Sequence, residues 1–279
     1  MTYRETLGQG EKRLLAAEIP DAATDAWLLL SFVCRIDRNF YYMYGGGEME
    51  YEQSRQYKML LEKRASHVPL QYITGEQEFM GLTFHVDSSV LIPRQDTEIL
   101  VEEALKVITP GMEILDICTG SGCIAVSIAK LRPDVKVWAA DVSQPALQVA
   151  KGNAKENKAE VLFYKSDMFE KIDRKFDVIL SNPPYIPTEV IKGLMPEVRD
   201  FEPMLALDGE GDGLKFYRIL AEEGRKHLNP GGRLMVEIGY DQGEAVRELF
   251  WQKGYREIKV IKDLAGLDRV AAGKDEGYV

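Results

Sequence analysis

The stretch MEILDICTGSGCIAVSIAKL, residues 112–131, decides the fold. Residues 112–116 form a short apolar run typical of a buried strand, and residues 123–131 have the apolar spacing of a helix. Between them, the glycines of Gly120-Ser121-Gly122 let the backbone turn tightly and come close to a ligand. The stretch therefore predicts a strand, a glycine-rich turn and a helix.

The same alternation of strand and helix continues to the end of the chain. The predicted strands are 112–116, 135–140, 160–165, 176–181, 233–238, 257–262 and 269–272, and the predicted helices are 123–131, 144–157, 213–227 and 242–252. This order predicts an α/β fold, a mostly parallel Rossmann-like sheet with helices on both faces. Ligands of such sheets bind beyond the carboxyl ends of the strands, where the glycine turn lies.

The first 67 residues differ, because they show helical spacing without strand alternation. Helices are expected at 11–18, 22–35 and 51–65, and Asp21 is the expected N-cap of the second. We therefore predict a small N-terminal helical domain at 1–67.

Residues 68–93 mix aromatic and β-branched residues around glycines. The segments 70–75 and 79–86 predict a β-hairpin that links two domains. The larger domain is expected at 94–279, and it opens with a helix at 94–107.

Composition limits the class of protein. Of 279 residues, 45% are hydrophobic and 29% charged, which is ordinary for soluble proteins, and no apolar run is long enough to span a membrane. The net charge of −10 argues against broad nucleic-acid binding, which depends on Lys and Arg. Three cysteines (Cys34, Cys118, Cys123) and three scattered histidines form neither a disulfide framework nor a metal motif. We therefore expect no bound metal. The polar N-terminus lacks the apolar core of a secretory signal, so we expect a cytoplasmic protein.

Acidic residues end the strands that follow the glycine turn. Asp141 stands where a carboxylate can accept hydrogen bonds from both hydroxyls of a ribose. Asp167 can accept from an adenine amino group, with Met168 and Phe169 against the ring, although a helix cap is its alternative role. No Gly-Lys-Ser/Thr follows the turn, which excludes a phosphate loop, whereas Ala125 at the third glycine position leaves NAD open.

S-adenosylmethionine suits these residues because it has an adenine and a ribose but no pyrophosphate. Asp116 is then expected to face the ammonium group at the amino acid end of the cofactor. The expected cofactor-binding residues are Asp116, Cys118, Thr119, Gly120, Ser121, Gly122, Asp141, Asp167, Met168 and Asn182.

The tetrapeptide Asn182-Pro183-Pro184-Tyr185 follows the predicted strand 176–181. An amide or aromatic amino nitrogen is a poor nucleophile, and acceptors at both of its N–H groups stabilise the charge that grows during attack. The Asn182 side-chain oxygen and the Pro183 carbonyl suit that role, the prolines stiffen the loop, and Tyr185 can stack on a planar group. A simple strand-ending turn is the alternative for the tetrapeptide alone. With the upstream turn, it predicts methyl transfer to a planar nitrogen, with Asn182, Pro183, Pro184 and Tyr185 as catalytic residues.

The order of the two motifs resembles that of class I S-adenosylmethionine-dependent amino methyltransferases. Further stretches resemble the HemK-type family of peptide chain release factor glutamine methyltransferases: PLQYITG at 69–75, LIPRQDTE at 91–98, the segment 202–213 and DLAGLDRV at 263–270. The resemblance implies methyl transfer from S-adenosylmethionine to N5 of the glutamine in the Gly-Gly-Gln motif of class I release factors. It also implies that the helical domain helps to grip the release factor, and that the segment beginning at Arg94 closes over the cofactor.

The chain departs from the family pattern at three positions. Cys118 replaces a first glycine, Met168 replaces an aromatic residue and Gln95 replaces a proline. We expect the backbone at Cys118 to avoid the angles that only glycine adopts easily. None of the three departures touches the tetrapeptide, so activity is expected to survive.

Two other functions are weighed against this one. An adenine-N6 methyltransferase can use the same pocket for a flipped base of DNA or RNA, but the acidic balance disfavours it. A cofactor-binding scaffold for translation factors, without catalysis, is disfavoured by the intact tetrapeptide. We expect a monomer that does not bind nucleic acid directly.

Overall fold

The computed structural model describes residues 1–277 and divides the chain into two compact units. The first unit is Met1–Gly75 with Met195–Phe201, and the second is Glu76–Leu194 with Glu202–Val279. The domain limits 1–67, 68–93 and 94–279 stay predictions, and Tyr278 and Val279 lie outside the described residues.

The first unit is helical. Its helices are α1 (Tyr3–Leu15), α2 (Ala22–Cys34), α3 (Arg38–Tyr44), α4 (Tyr51–Ala65) and α5 (Leu70–Thr74). The short helix Pro196–Arg199, from later in the chain, belongs to the same unit. Thr2 begins α1 through a capping box with Glu5, so this helix starts earlier than the predicted residue 11. Asp21 stands at the N-cap of α2, but within the described chain its side chain makes no cap hydrogen bond.

A buried ion pair explains why the segment 195–201 belongs to the first unit. Arg64 on α4 has a side chain only 5% exposed, and its Nε donates to Asp25 Oδ2 at 2.6 Å. Its Nη2 lies 2.5 Å from Glu197 Oε2. A buried guanidinium needs such partners, because an uncompensated buried charge is strongly destabilising.

The predicted hairpin at 68–93 is partly wrong. The antiparallel strands are β1 (Glu76–Phe79) and β2 (Leu82–His85), whereas the segment expected as the first strand forms α5. The amide of Ile73 bonds to the Pro69 carbonyl in the helical pattern. Leu70 packs into the core of the first unit, and this burial overrides the strand preference of the local sequence.

The second unit contains a sheet of seven strands in the order β5-β4-β3-β6-β7-β9-β8. The strands are β3 (Glu113–Ile117), β4 (Lys136–Asp141), β5 (Val161–Lys165), β6 (Phe176–Ser181), β7 (Leu228–Glu237), β8 (Arg256–Lys262) and β9 (Asp268–Lys274). The helices after the hairpin are α6 (Gln95–Leu105), α7 (Cys123–Leu131), α8 (Gln144–Glu156), α9 (Thr188–Ile191), α10 (Pro196–Arg199, of the first unit), α11 (Met204–Leu207), α12 (Lys215–Lys226) and α13 (Gly243–Gln252). β3 to β7 run parallel and β9 is antiparallel to both neighbours, so the predicted mostly parallel α/β fold is confirmed.

Alternate side chains of the central strands enter two cores, one on each face of the sheet. On β6, Val178 and Leu180 pack with α6 and α7, while Ile179 packs on the other face with residues of α12. The chain moves from β3 to β4 and β5 on one side, and then returns to place β6 on the other side of β3. This reversal opens a crevice at the carboxyl ends of β3, β4 and β6.

Candidate active site

A cleft of about 980 Å³, including space open to solvent, occupies this crevice. The predicted residues that line it are Arg94, Cys118, Thr119, Gly120, Ser121, Asp141, Asp167, Met168, Asn182 and Pro184. The predicted residues that lie outside its lining are Asp116, Gly122, Pro183 and Tyr185. The structure therefore brings the two motifs to one cleft, with part of each motif behind its wall.

The glycine turn uses left-handed backbone at three residues. Cys118, Gly120 and Gly122 have φ of 61°, 54° and 81°. The expectation that Cys118 avoids left-handed backbone angles is wrong. For a residue with a Cβ, this conformation costs about 1–2 kcal/mol of strain. A Cβ on Gly120 would meet none of the described residues within 4 Å, so the space before it belongs to the cleft.

Asp116 lies beneath the turn and is fully buried. Its Oδ2 accepts from Thr119 Oγ1 at 2.6 Å and from the Ala125 amide at 3.3 Å. Burial raises the pKa of this carboxyl to about 7, although these two hydrogen bonds oppose the rise. Asp116 therefore braces the turn from behind through Oδ2, whereas its Oδ1 has no hydrogen-bond partner among the described residues. The expected contact of Asp116 with the ammonium group of the cofactor stays a prediction.

Asp141 ends β4 on the wall of the cleft. Its Oδ2 accepts from the Gly120 amide at 2.9 Å and its Oδ1 from the Ser143 amide at 2.8 Å. Each carboxylate oxygen has a further lone pair for a ligand hydroxyl. Burial raises the pKa of Asp141, and the backbone amides lower it in turn.

Two of the departures from the family pattern touch each other. The Cys118 thiol lies 3.8 Å from the Met168 thioether, and Met168 also has a left-handed backbone, with φ of 44°. Burial raises the pKa of Cys118, which keeps the thiol neutral. The pair forms an apolar part of the wall beside the exposed carboxylate of Asp167.

The donor and acceptor set of this wall fits a nucleoside without a pyrophosphate. Asp141 and Asp167 offer carboxylates to hydroxyl and amino groups, and Met168 and Phe216 offer apolar surface to a ring. The open space before Gly120 lets a ligand approach the backbone closely. These features suit S-adenosylmethionine.

The tetrapeptide loop is held by residues from elsewhere in the chain. Asn182 Nδ2 donates to Thr97 Oγ1 on α6 at 3.2 Å. Tyr185 Oη donates to Glu237 Oε1 at 3.2 Å, and the Tyr185 carbonyl accepts from Gln242 Nε2 at 3.0 Å. The ring of Tyr185 is thus fixed against the core, and burial raises its pKa.

Glu237 ends β7 and is 1% exposed. Burial raises the pKa of its carboxyl to about 7, against the lowering effects of Thr97, Arg269 and Tyr185. Sequence reasoning missed Thr97, Glu237 and Gln242. Thr97 lies inside the stretch LIPRQDTE, so that resemblance was the one signal that marked it.

Arg94 connects two segments that line the cleft. Its Nη2 lies 2.6 Å from Glu202 Oε2, and the Glu202 side chain is 1% exposed. Pro203, Leu205 and Ala206, which follow Glu202, line the same cleft. The pair therefore ties the start of α6 to the segment that carries α11.

None of the helices in residues 1–277 is long and apolar enough to cross a membrane. The chain matches two family models, the PrmC N-terminal domain over residues 5–75 and the Methyltransferase small domain over residues 94–194. A solved methyltransferase from Pyrococcus furiosus shares the fold, with a TM-score of 0.55 at 22% identity over 80% of this chain and 98% of that one.

Curated relatives match over most of their length. The release factor glutamine methyltransferase of Geobacter sulfurreducens is 42% identical over 98% of this chain and 96% of its own. That of Clostridium acetobutylicum is 43% identical over 88% of this chain and 89% of its own. The resemblance drawn from the motifs is confirmed, and the chain belongs to the release factor glutamine methyltransferase family.

Proposed function

We propose that the protein transfers a methyl group from S-adenosylmethionine to N5 of the glutamine in the Gly-Gly-Gln motif of class I peptide chain release factors. Membership of the family supports the substrate class. The observation that carries the reaction is the place of Asn182, which shares one cleft with the glycine turn and with Asp141.

S-adenosylmethionine supplies the methyl group as an electrophile. The chain's own task is to hold the glutamine amide so that its nitrogen lone pair points to that group. Asn182 Oδ1 and the Pro183 carbonyl accept hydrogen bonds from the two N–H groups and stabilise the positive charge that grows on nitrogen, which then loses one of these protons to solvent as the neutral N-methyl amide forms. Pro184 stiffens the loop, and Tyr185 supports it from the core side.

The cofactor is held by the wall that the turn and the strand ends form. We assign the ribose hydroxyls to Asp141 and the adenine amino group to Asp167, with Met168 against the ring. Cys118, Thr119, Gly120, Ser121 and Gly122 shape the backbone around the cofactor, Asp116 braces them, and Arg94 and Asn182 border it. The two carboxylate oxygens of Asp141 and the open space before Gly120 support this assignment.

The helical domain at 1–67 takes the role of gripping the release factor, with 68–93 as linker and 94–279 as the methyltransferase domain. We further propose a cytoplasmic monomer that does not bind nucleic acid directly. The acidic net charge of −10 supports the last point, because non-specific nucleic-acid binding depends on basic residues.

Mass spectrometry of a class I release factor after incubation with this protein and S-adenosylmethionine tests the proposal. The expected result is a gain of one methyl group on the glutamine of Gly-Gly-Gln. A release factor with alanine in place of that glutamine serves as the control and gains nothing. Methylation of adenine in DNA or RNA, without methylation of the release factor, would overturn the proposed substrate.

A further inference from the structure

The side chain of Asn182 is anchored through its nitrogen. Nδ2 donates to Thr97 Oγ1 at 3.2 Å, and Thr97 lies in the first turn of α6, where it is 2% exposed. Asn182 lines the cleft, so the atom of the amide left to face a ligand is Oδ1. This hydrogen bond, the anchor of Asn182, therefore decides whether the Asn182 side chain presents an acceptor or a donor to the cleft.

Shape alone cannot make this choice. The oxygen and nitrogen of an asparagine amide have nearly the same size, so a half-turn about the last side-chain bond exchanges them in the same space. A flipped Asn182 would direct N–H groups at the N–H groups of a substrate amide. It would then lose its acceptor and with it the stabilisation of the reacting nitrogen.

A hydroxyl such as that of Thr97 can either donate or accept a hydrogen bond. In the structure Thr97 Oγ1 accepts, and Asn182 Nδ2 is the donor at 3.2 Å. Thr97 also lowers the pKa of Glu237, which burial raises, so the Thr97 hydroxyl acts on a second polar group beside the tetrapeptide loop. The lone pair of Thr97 therefore favours the orientation of Asn182 that turns Nδ2 towards α6.

We propose that Thr97 is a positioning residue that fixes the Asn182 amide with its oxygen in the cleft. The proposal rests on the proposed function, since it concerns the same acceptor. Thr97 also lines the cleft, but in this role it acts through Asn182. Arg269 on β9, Asp96 on α6 and the Tyr185 hydroxyl are the other charged or titratable groups that act on Glu237.

A pair of substitutions in the full chain separates the hydroxyl from the packing. Thr97→Val keeps the shape but removes the acceptor, and we expect kcat to fall by roughly tenfold, the effect of one hydrogen bond on a barrier. Thr97→Ser keeps the hydroxyl and is expected to recover most of that loss. Affinity for S-adenosylmethionine, measured by calorimetry, is expected to stay within about twofold in both, since the bond changes only the acceptor.

A second measurement does not depend on turnover. The side-chain amide signal of Asn182 in a ¹⁵N spectrum, identified by its loss in Asn182→Ala, reports the bond directly. We expect it to shift in Thr97→Val and to stay near its wild-type position in Thr97→Ser. If the wild-type chain leaves release factors unmethylated, the substrate assignment fails and this signal still tests the anchor.

Two results would overturn the proposal. One is an unmoved Asn182 signal in Thr97→Val. The other is an equal loss of kcat in Thr97→Ser and Thr97→Val, since that would assign the effect to packing.

Discussion

The glycine turn and the tetrapeptide loop each rest on one buried carboxyl, Asp116 and Glu237, and burial raises the pKa of each to about 7. The partners of Asp116 come from its own turn and helix, Thr119 and Ala125. Glu237 instead accepts a hydrogen bond from Tyr185 of the tetrapeptide, and its pKa is also lowered by Thr97 on α6 and Arg269 on β9.

The difference shows two ways to fix an active-site loop. The turn beside β3 is shaped by its own backbone, so a single local carboxyl is enough to brace it. The tetrapeptide loop has prolines that stiffen it, but the direction of its functional side chain comes from residues that only the folded sheet brings near. Substitutions in the first region should disturb the cofactor and stability, whereas those in the second should disturb turnover.

The largest expected effect belongs to Asn182→Ala. Loss of the acceptor should lower kcat by roughly 10²–10³, the usual effect of one oriented polar contact at a reacting group. Affinity for S-adenosylmethionine should change little, which calorimetry and steady-state kinetics check together. Near wild-type turnover would show that Asn182 has no role in the reaction, and it would contradict the assignment of turnover to the tetrapeptide loop.

Asp116→Ala should come next and act on stability. It leaves the Thr119 hydroxyl and the Ala125 amide buried without their acceptor, and the free energy of unfolding should fall by about 2–3 kcal/mol. Denaturant unfolding measures it. Glu237→Ala is the matched variant, and it should lower kcat while cofactor affinity holds. An equal loss of cofactor affinity in both variants would contradict the division between the two regions.

The pH dependence of stability follows from the same carboxyls. A folded-state pKa near 7, above the ordinary value of 3.8, means that Asp116 favours folding when it is protonated. Its contribution is complete below the ordinary pKa and is lost as pH rises through about 7, so the protein should be about 2 kcal/mol less stable at pH 7 than at pH 5 on its account. Asp116→Asn should flatten this slope in urea titrations. An unchanged slope would place the folded pKa of Asp116 near its ordinary value.

The smallest expected effect is that of Asp141→Ala on the cofactor. Loss of the carboxylate that faces the cleft should weaken S-adenosylmethionine binding by about tenfold, or 1.4 kcal/mol. Asp134→Ala is a suitable control, because Asp134 precedes β4 and pairs with Arg132 away from the cleft. Calorimetry that finds the same affinity in both variants would exclude Asp141 from the site.

The parts of the molecule that sequence predicted are those whose causes are local. The apolar run of β3, the glycines after it and the spacing of α7 lie within twenty neighbouring residues, and their elements were found. The sequence did not indicate α3, because most of its residues are aromatic and the helix is too short to show a helical repeat of apolar residues. The roles of Thr97, Glu237 and Gln242 were out of reach, because each depends on a strand order that brings distant residues together.

Arg64 and its two carboxylate partners have a consequence for the order of events during synthesis. Asp25 and Arg64 leave the ribosome early, but Glu197 follows only after the turn, the tetrapeptide and most of the parallel strands have been made. The N-terminal unit therefore cannot complete its buried ion pairs before the chain has been synthesised as far as Glu197. In a fragment that ends before residue 195, Arg64 has only one of its two carboxylate partners. The first unit therefore finishes folding only after much of the second unit has been synthesised.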